Sequence, residues 1–331
     1  MRVAFFGSRS FERPVFESAN PLHGHTLTFF EAGLDLSTAA LARGHDAVCI
    51  FVNDQADAAV LQELKNAGVR LVALRSAGFN NVDIAEALRL GMPVVRVPEY
   101  SPYAVAEHAM CLILALNRKI HRAYARVREL NFSLEGLIGF DLHGATVGVI
   151  GTGRIGMAMV RILHGFGAQI LTYDPYPNEP LVERYGVRYV ALPELYAASS
   201  VITLHCPLTP ETYHLIDTDA FAQMKPDAIL INTGRGALIN SRALITALKA
   251  GRIGGAGLDV YEEEEGVFFH DLSQRVLHDD VLARLLTFPN VLITSHQGFL
   301  TREALSNIAA TTLANITAYE KGDELLNAVT V

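Results

Sequence analysis

Residues 147–156 read "VGVIGTGRIG", an apolar strand-like run that passes directly into Gly151, Gly153 and Gly156 in G-x-G-x-x-G spacing at the start of a helical pattern. In that arrangement Gly151 permits a tight turn, Gly153 lets the backbone approach a pyrophosphate, and Gly156 lets helix and strand pack closely. The helix start, with Arg154 and Ile155 in its first turn, offers N–H groups and a positive dipole end to phosphates. A second strand, "AQILTYD" (168–174), ends in Asp174. A carboxylate there can accept hydrogen bonds from the adenosine ribose hydroxyls and would repel a 2′-phosphate. Strand, glycine turn, helix, strand and acid together predict a dinucleotide site, with NAD rather than NADP as the cofactor.

Working outward, apolar strands alternate with helical stretches on both sides of this unit. Upstream lie "RVAFFG" (2–7), "DAVCIFVND" (46–54), "VRLVALRSAG" (69–78) and "PVVRVPEYS" (93–101). Downstream lie "SSVITLHCPLT" (199–209), "PDAILINTGRG" (226–236), "GGAGLDVYE" (254–262) and "PNVLITSHQG" (289–298). This alternation indicates parallel α/β sheets, and 331 residues are enough for two domains. The expected fold is two Rossmann-like domains, one flavodoxin-like and one dinucleotide-binding, with the second inserted into the first. The expected boundaries are 1–100 with 299–331 for a substrate domain and 101–298 for the NAD-binding domain. The closing helical pattern "TREALSNIAATTLANITAYEKG" (301–322) would return to the N-terminal unit.

A long helical pattern over 101–130 is apolar around more of its circumference than one buried stripe requires. It predicts burial on two sides, between domains or between subunits, with an ordinary core helix as the alternative.

Composition narrows the partners. Half the residues are apolar, and the formal charge is −8, which argues against a nucleic-acid or anionic-membrane surface. The apolar run "AMCLILAL" (109–116) is too short to span a bilayer, and no signal-peptide pattern opens the chain. Cys49, Cys111 and Cys206 are widely spaced and odd in number, as expected of reduced thiols in a cytoplasmic protein. No cluster has metal-ligand spacing. His23 and His25 come nearest, and no metal is expected.

An enzyme that uses a nicotinamide on a carbonyl needs a proton donor, a cation for the substrate, and often a group that tunes the donor. His296 follows the strand "NVLIT", Arg235 follows "AILINTG", and the glutamates of "LDVYEEEEGVFF" (258–269) follow a third strand. Ligands of open α/β sheets collect at such strand ends. Spacing alone leaves the choice among the four glutamates open.

The motifs "GTGRIG", "HCPLTPET", "MKPDAILINTGRGALI", "GLDVYEEE" and "SHQGF" resemble those of the D-isomer-specific 2-hydroxyacid dehydrogenases and cover most of residues 75–300. Within that family "LRSAGFNNVD", "PEYSPYAVAEHA" and "HQGFLTREAL" look most like the fermentative D-lactate-forming members. The resemblance implies that Arg235, Glu264 and His296 are the catalytic set, leaving Glu262, Glu263 and Glu265 as loop or supporting residues. A Glu264 carboxylate beside His296 would orient the imidazole and balance the charge of its protonated form.

The resemblance further implies that Ala77 and Gly78 supply backbone N–H groups to the substrate carboxylate. Tyr100 and Phe299 would line a pocket sized for pyruvate. His205, Cys206, Pro207, Thr212, Thr233 and Gly234 would form the cofactor side. Asp259 would lie near the nicotinamide carboxamide or help place Arg235. His108 and His143 read as structural. A homo-oligomer, dimer or tetramer, and closure of two domains over a small 2-keto or 2-hydroxy acid are expected. The runner-up readings are a related enzyme for glycerate, aryl or branched acids, and an NAD-sensing corepressor on the same fold. Formate oxidation is disfavoured, because the related formate enzymes have Gln where this chain has Glu264.

Overall fold

In the computed structural model, which describes residues 1–264 and 266–330, every strand pairs in parallel with its sheet neighbours. The chain divides into two compact units, Met1–Ser101 with Leu300–Val331, and Pro102–Phe299. Each change of unit falls one residue later than the sequence reading placed it. Pro102 opens the helix Pro102–Asn117, which belongs to the second unit, and the residue before a proline is held out of helical geometry. Phe299 stays with the segment that carries His296.

The first unit holds β1 (Arg2–Phe5), β2 (Thr26–Phe29), β3 (Ala47–Ile50), β4 (Leu71–Leu74) and β5 (Val94–Val95), ordered β2-β1-β3-β4-β5. This is the flavodoxin-type order, with its switch point between β1 and β3. Strands β3 and β4 are buried along their whole length, as sheets covered on both faces require. The sequence reading did not include β2. It is an edge strand with no fully buried residue, so it lacks the continuous apolar run that marks its neighbours. The helix Arg302–Lys321 is capped by Thr301, whose hydroxyl accepts the Ala304 N–H, and is ended by Gly322 at φ 73°. It packs on the helix Arg13–Ala19 and on β4.

The second unit holds β6 (Thr146–Ile150), β7 (Gln169–Tyr173), β8 (Arg188–Tyr189), β9 (Val201–Leu204), β10 (Ile229–Asn232), β11 (Gly255–Leu258) and β12 (Val291–Ile293). Their order is β12-β11-β10-β9-β6-β7-β8. Counted from β6 this is the dinucleotide-binding order with a seventh strand added, and the order reverses between β6 and β9. Val147 and Val149 face one apolar layer with Leu112, Ile113, Met159 and Leu163, while Ile150, Ile202 and Leu204 face the other. The two-residue β8 is the other strand missing from the sequence reading.

The long pattern 101–130 is two helices, Pro102–Asn117 and Ile120–Arg128, broken at Lys119 with φ 52°. The buried Asn117 explains the break. Its amide donates to the Phe140 carbonyl and accepts the Phe140 N–H, both at 2.8 Å, which spends a side chain on the returning loop. Gly139 is required at that approach, since a Cβ there would lie 2.6 Å from the Asn117 carbonyl oxygen. The first helix packs against β10, β11 and the helix Arg154–Gly165. These contacts bury one side of it, from Ala104 to Leu116, within its own unit, while Tyr103, Glu107 and Cys111 stay exposed. Among the described residues no helix is long and apolar enough to cross a membrane.

Candidate active site

The glycine turn follows β6 at the switch point. Gly151 takes φ 92°, and a Cβ there would lie 2.5 Å from the backbone nitrogen of Cys206. Only glycine fits, because the backbone beyond β9 crosses directly over the turn. A Cβ on Gly156 would come 2.0 Å from the Gly151 carbonyl oxygen, so the third glycine lets the helix Arg154–Gly165 close onto the turn itself. Gly153 differs. A Cβ there meets no protein atom within 4 Å and its φ is −63°, so neither packing nor backbone geometry demands glycine. Close approach of a pyrophosphate to the backbone does. Arg154 opens the helix on its exposed side, and Ile155 packs inward against the apolar layer.

Asp174 stands just past β7. Its Oδ2 accepts the Thr152 N–H at 2.7 Å and the Thr152 hydroxyl at 3.0 Å, and its Oδ1 accepts the Tyr176 N–H at 2.9 Å. The carboxylate is thereby fixed beside the glycine turn with part of its acceptor capacity on Oδ1 remaining. The Tyr189 hydroxyl donates to Thr152 Oγ1 at 2.9 Å, so β8 buttresses the same group. Thr152 and Tyr189 were not singled out in the sequence, because neither a hydroxyl inside a glycine turn nor an edge tyrosine has a signature of its own.

His205 and Cys206 follow β9 on the other side of the switch point, and the His205 N–H donates to the Ile150 carbonyl at 2.7 Å. Burial pulls the His205 imidazole down to about 4, and its Nε2 lies 2.9 Å from Thr203 Oγ1. Burial pushes the Cys206 thiol up to about 11, which leaves it protonated and unreactive near neutrality. Thr212 closes the following turn by donating to the Pro207 carbonyl at 2.7 Å. Thr233, just past β10, is buried, and its hydroxyl has no partner among the described residues. The open glycine turn, the fixed carboxylate and, two strands along the same sheet edge, this orphaned buried hydroxyl are a fitting set of donors and acceptors for a nicotinamide dinucleotide.

Three neighbouring strands, β10, β11 and β12, carry Arg235, Glu264 and His296 just beyond their C-terminal ends. His296 Nδ1 lies 2.7 Å from Glu264 Oε2, and both side chains are partly buried. Glu264 Oε1 accepts the Tyr261 N–H at 2.9 Å, so one oxygen anchors the carboxylate to its own turn while the other takes the imidazole. With Nδ1–H given to the carboxylate, Nε2 is the ring atom left to face a substrate.

Arg235 sits in a turn clamped by the buried Asn232, whose amide donates to the Arg235 carbonyl at 2.8 Å and accepts the Gly234 N–H at 3.0 Å. The next residue, Gly236, meets the Glu264 turn directly. A Cβ at 236 would lie 2.0 Å from the Tyr261 carbonyl carbon and oxygen. The turns of Arg235 and Glu264 are thus packed backbone to backbone.

Asp259, expected near the nicotinamide carboxamide or as a help in placing Arg235, gives its carboxylate to the loop of His296. Oδ1 accepts the Thr294 hydroxyl at 2.6 Å and the Gln297 N–H at 2.8 Å, and Oδ2 accepts the Gly298 N–H at 2.7 Å. The His296 N–H itself donates to the Asp259 carbonyl at 2.7 Å. Burial alone would raise the Asp259 carboxyl, yet hydrogen bonds from His108 and Thr294 and the nearness of the His108 imidazole hold it below the ordinary carboxylate range. His108, which reads as structural in the sequence, therefore supports the histidine loop. His296 has φ 49°, an uncommon left-handed backbone for a residue with a side chain, and these bonds over-determine it.

Of the remaining glutamates, Glu262 Oε1 lies 2.5 Å from His214 Nε2, and Oε2 accepts the Ser241 N–H at 3.2 Å. Glu263 is exposed, and Glu265 lies outside the described residues. In the first unit, the loop after β4 carries Ala77 and Gly78, whose N–H groups have no acceptor among the described residues. The Tyr100 carbonyl accepts from the Asn307 side chain at 2.6 Å. Phe299 is buried in the second unit, three residues past His296.

A family model described as "D-isomer specific 2-hydroxyacid dehydrogenase, NAD binding domain" matches residues 110–298. The chain is 54% identical over 329 residues to a 2-hydroxyacid dehydrogenase homolog of Haemophilus influenzae, covering 99% of each chain. It is 53% identical over 327 residues to a D-lactate dehydrogenase of Escherichia coli K12, again covering 99% of each. The apo-structure of D-lactate dehydrogenase from Escherichia coli superposes with a TM-score of 0.91 at 51% identity over 100% of both chains. With its glycine turn, fixed Asp174 and His296–Glu264 pair, the chain belongs to the D-isomer-specific 2-hydroxyacid dehydrogenase family, NAD-dependent oxidoreductases of 2-hydroxy acids.

Proposed function

We propose that the chain is a D-lactate dehydrogenase, reducing pyruvate to D-lactate reversibly at the expense of NADH. The observation that carries this reading is the 2.7 Å pairing of His296 Nδ1 with Glu264 Oε2, one strand from the turn of Arg235 in an NAD-binding sheet. Bound NADH supplies the hydride to the carbonyl carbon. Protonated His296 gives its Nε2 proton to the ketone oxygen, so the hydride and this proton together complete the alcohol. Glu264 orients the ring and balances the positive charge it carries before that transfer. Arg235 pairs with the substrate carboxylate and polarises the ketone, its planar fork matching a carboxylate in a way a lysine would not. In the reverse direction His296 takes the hydroxyl proton as base.

The N–H groups of Ala77 and Gly78 are assigned to the substrate carboxylate, and Tyr100 and Phe299 to the side of the pocket that limits substrate length. Gly151, Gly153, Arg154, Ile155 and Gly156 are assigned to the pyrophosphate, and Asp174 to the adenosine ribose. His205, Cys206, Pro207, Thr212, Thr233 and Gly234 are assigned to the nicotinamide side. A homo-oligomer, dimer or tetramer, is supported by the run of exposed apolar residues Ile120, Tyr124, Val127, Leu130, Phe132, Leu134 and Ile138. A cytoplasmic location is supported by three free cysteines.

The test is NADH oxidation by the purified protein with pyruvate, 2-ketobutyrate, hydroxypyruvate, phenylpyruvate and 2-ketoisocaproate, followed by chiral analysis of each product. The highest kcat/KM with pyruvate and a D-lactate product are expected. Preference for a larger keto acid would overturn the assignment of Tyr100 and Phe299 while leaving the catalytic set in place.

A further inference from the structure

The loop Ser76–Phe79 is held from one side by a residue that neither the glycine motif nor the catalytic constellation explains. Arg96, half-buried at the end of β5, donates from its guanidinium to the Ala77 carbonyl at 2.8 Å. Its guanidinium carbon stands 5.3 Å from the centroid of the Phe79 ring, within cation–π range. The backbone beside it is fixed as well. The Arg96 N–H donates to the Asn327 carbonyl at 3.1 Å, the Arg96 carbonyl accepts from the Asn315 side chain at 2.9 Å, and the Val97 N–H donates to the Ser76 carbonyl at 3.1 Å.

A trans peptide points its C=O and the following N–H in opposite directions. Pinning the Ser76 carbonyl therefore sets the direction of the Ala77 N–H, and pinning the Ala77 carbonyl sets that of the Gly78 N–H. Both carbonyls are pulled to the side of Arg96 and Val97, so both N–H groups are turned away from it. Neither has an acceptor among the described residues. Two consecutive N–H groups held parallel without an acceptor form an anion-binding concavity. The Ser76 hydroxyl donates to the Gly78 carbonyl at 2.9 Å, which closes the loop on itself and keeps the third peptide from competing.

We propose that Arg96 is a positioning residue for substrate: its guanidinium, braced on Phe79, fixes the Ala77–Gly78 peptide so that the loop's N–H groups meet the substrate carboxylate. This rests on the assignment of those N–H groups to the carboxylate. The loss of Arg96 is expected in substrate affinity, with hydride transfer and cofactor binding little changed. The guanidinium also carries charge, so positioning must be separated from simple attraction of anions, which salt screens.

The experiment measures KM for pyruvate, kcat, the Kd of oxamate and the Kd of NADH for the full chain and for Arg96→Met, Arg96→Lys, Phe79→Leu and Ala77→Pro. Arg96→Met should raise the pyruvate KM and the oxamate Kd about tenfold, the effect of one misdirected hydrogen bond to a charged ligand. NADH affinity and kcat should stay within about threefold, and the loss should persist in about 0.5 M KCl. Arg96→Lys, which keeps the charge but loses the planar brace, should recover only part of the loss.

If Arg96→Met leaves KM unchanged while Ala77→Pro raises it, the positioning role fails and the carboxylate assignment stands. If Ala77→Pro also leaves KM unchanged, the assignment itself fails. A loss in Arg96→Met that disappears in salt, or full recovery in Arg96→Lys, would replace positioning by charge attraction. Should Arg96→Met fail to fold, Phe79→Leu decides: a several-fold higher pyruvate KM supports the proposal, and an unchanged KM overturns it.

Discussion

Asp174 and His205 flank the glycine turn from opposite sides of the switch point, and each makes a separate prediction. The Asp174 carboxylate is held at the turn by three protein donors, so its negative charge has a fixed place. Asp174→Ala should lower the ratio of kcat/KM for NADH over NADPH by about tenfold or more, through loss of charge-assisted hydrogen bonds to the ribose and of repulsion toward the 2′-phosphate. An unchanged ratio would show that discrimination lies elsewhere. His205, with its folded-state pKa pulled to about 4 by burial, predicts acid sensitivity. The unfolded imidazole protonates near its ordinary value, so between the two values the unfolded state binds more protons. This contribution is complete above that ordinary value and declines as pH falls toward the folded one, by about 3 kcal/mol at most. Urea unfolding of the wild type and of His205→Gln at about pH 7 and about pH 4.5 should show the stability difference moving in favour of the variant at the lower pH. A difference independent of pH would contradict the burial argument.

Among the elements, the break between the helices Pro102–Asn117 and Ile120–Arg128 is the feature most dependent on a single side chain. Asn117→Leu removes both hydrogen bonds to Phe140 and leaves a backbone pair unsatisfied, which should cost about 2 kcal/mol of unfolding free energy by denaturant titration. Stability within experimental error of wild type would mean that the loop is held by packing instead. This break also marks where the sequence stops being legible. The apolar pattern of 101–130 runs through it, because periodicity records which residues seek burial and not which polar residue is spent on a distant loop. The strands β4, β6, β9 and β10 were readable because continuous apolar runs end at glycine or proline turns, and β3 because its apolar run stops at Asn53 and Asp54. β2 and β8 were not, since β2 alternates threonine with its apolar residues, β8 is two residues long, and neither holds a fully buried side chain. At the site, the glycine turn, Asp174, Arg235 and His296 could be placed at strand ends from alternation alone. The choice of Glu264 among neighbouring glutamates needed the family resemblance. Asn232, His108 and Thr294 could not be found, because they act through loops that only the folded chain brings together.

On the scale of the whole chain, the second unit interrupts the first, and its exposed apolar segment 120–138 is the surface most in need of a partner. If a second copy covers it, the paired change Leu134→Glu with Ile138→Glu should convert the oligomer to monomer in sedimentation while NADH binding persists. A wild-type chain that sediments as a monomer would remove the oligomer. The central claim remains the chemistry of His296 under the hold of Glu264. It is tested most directly by kcat for pyruvate reduction in His296→Asn, measured alongside the Kd of NADH. A loss of at least ~100-fold in kcat, the low end of general acid–base contributions, with NADH binding unchanged is the predicted result. Near-normal turnover in that variant would contradict the account.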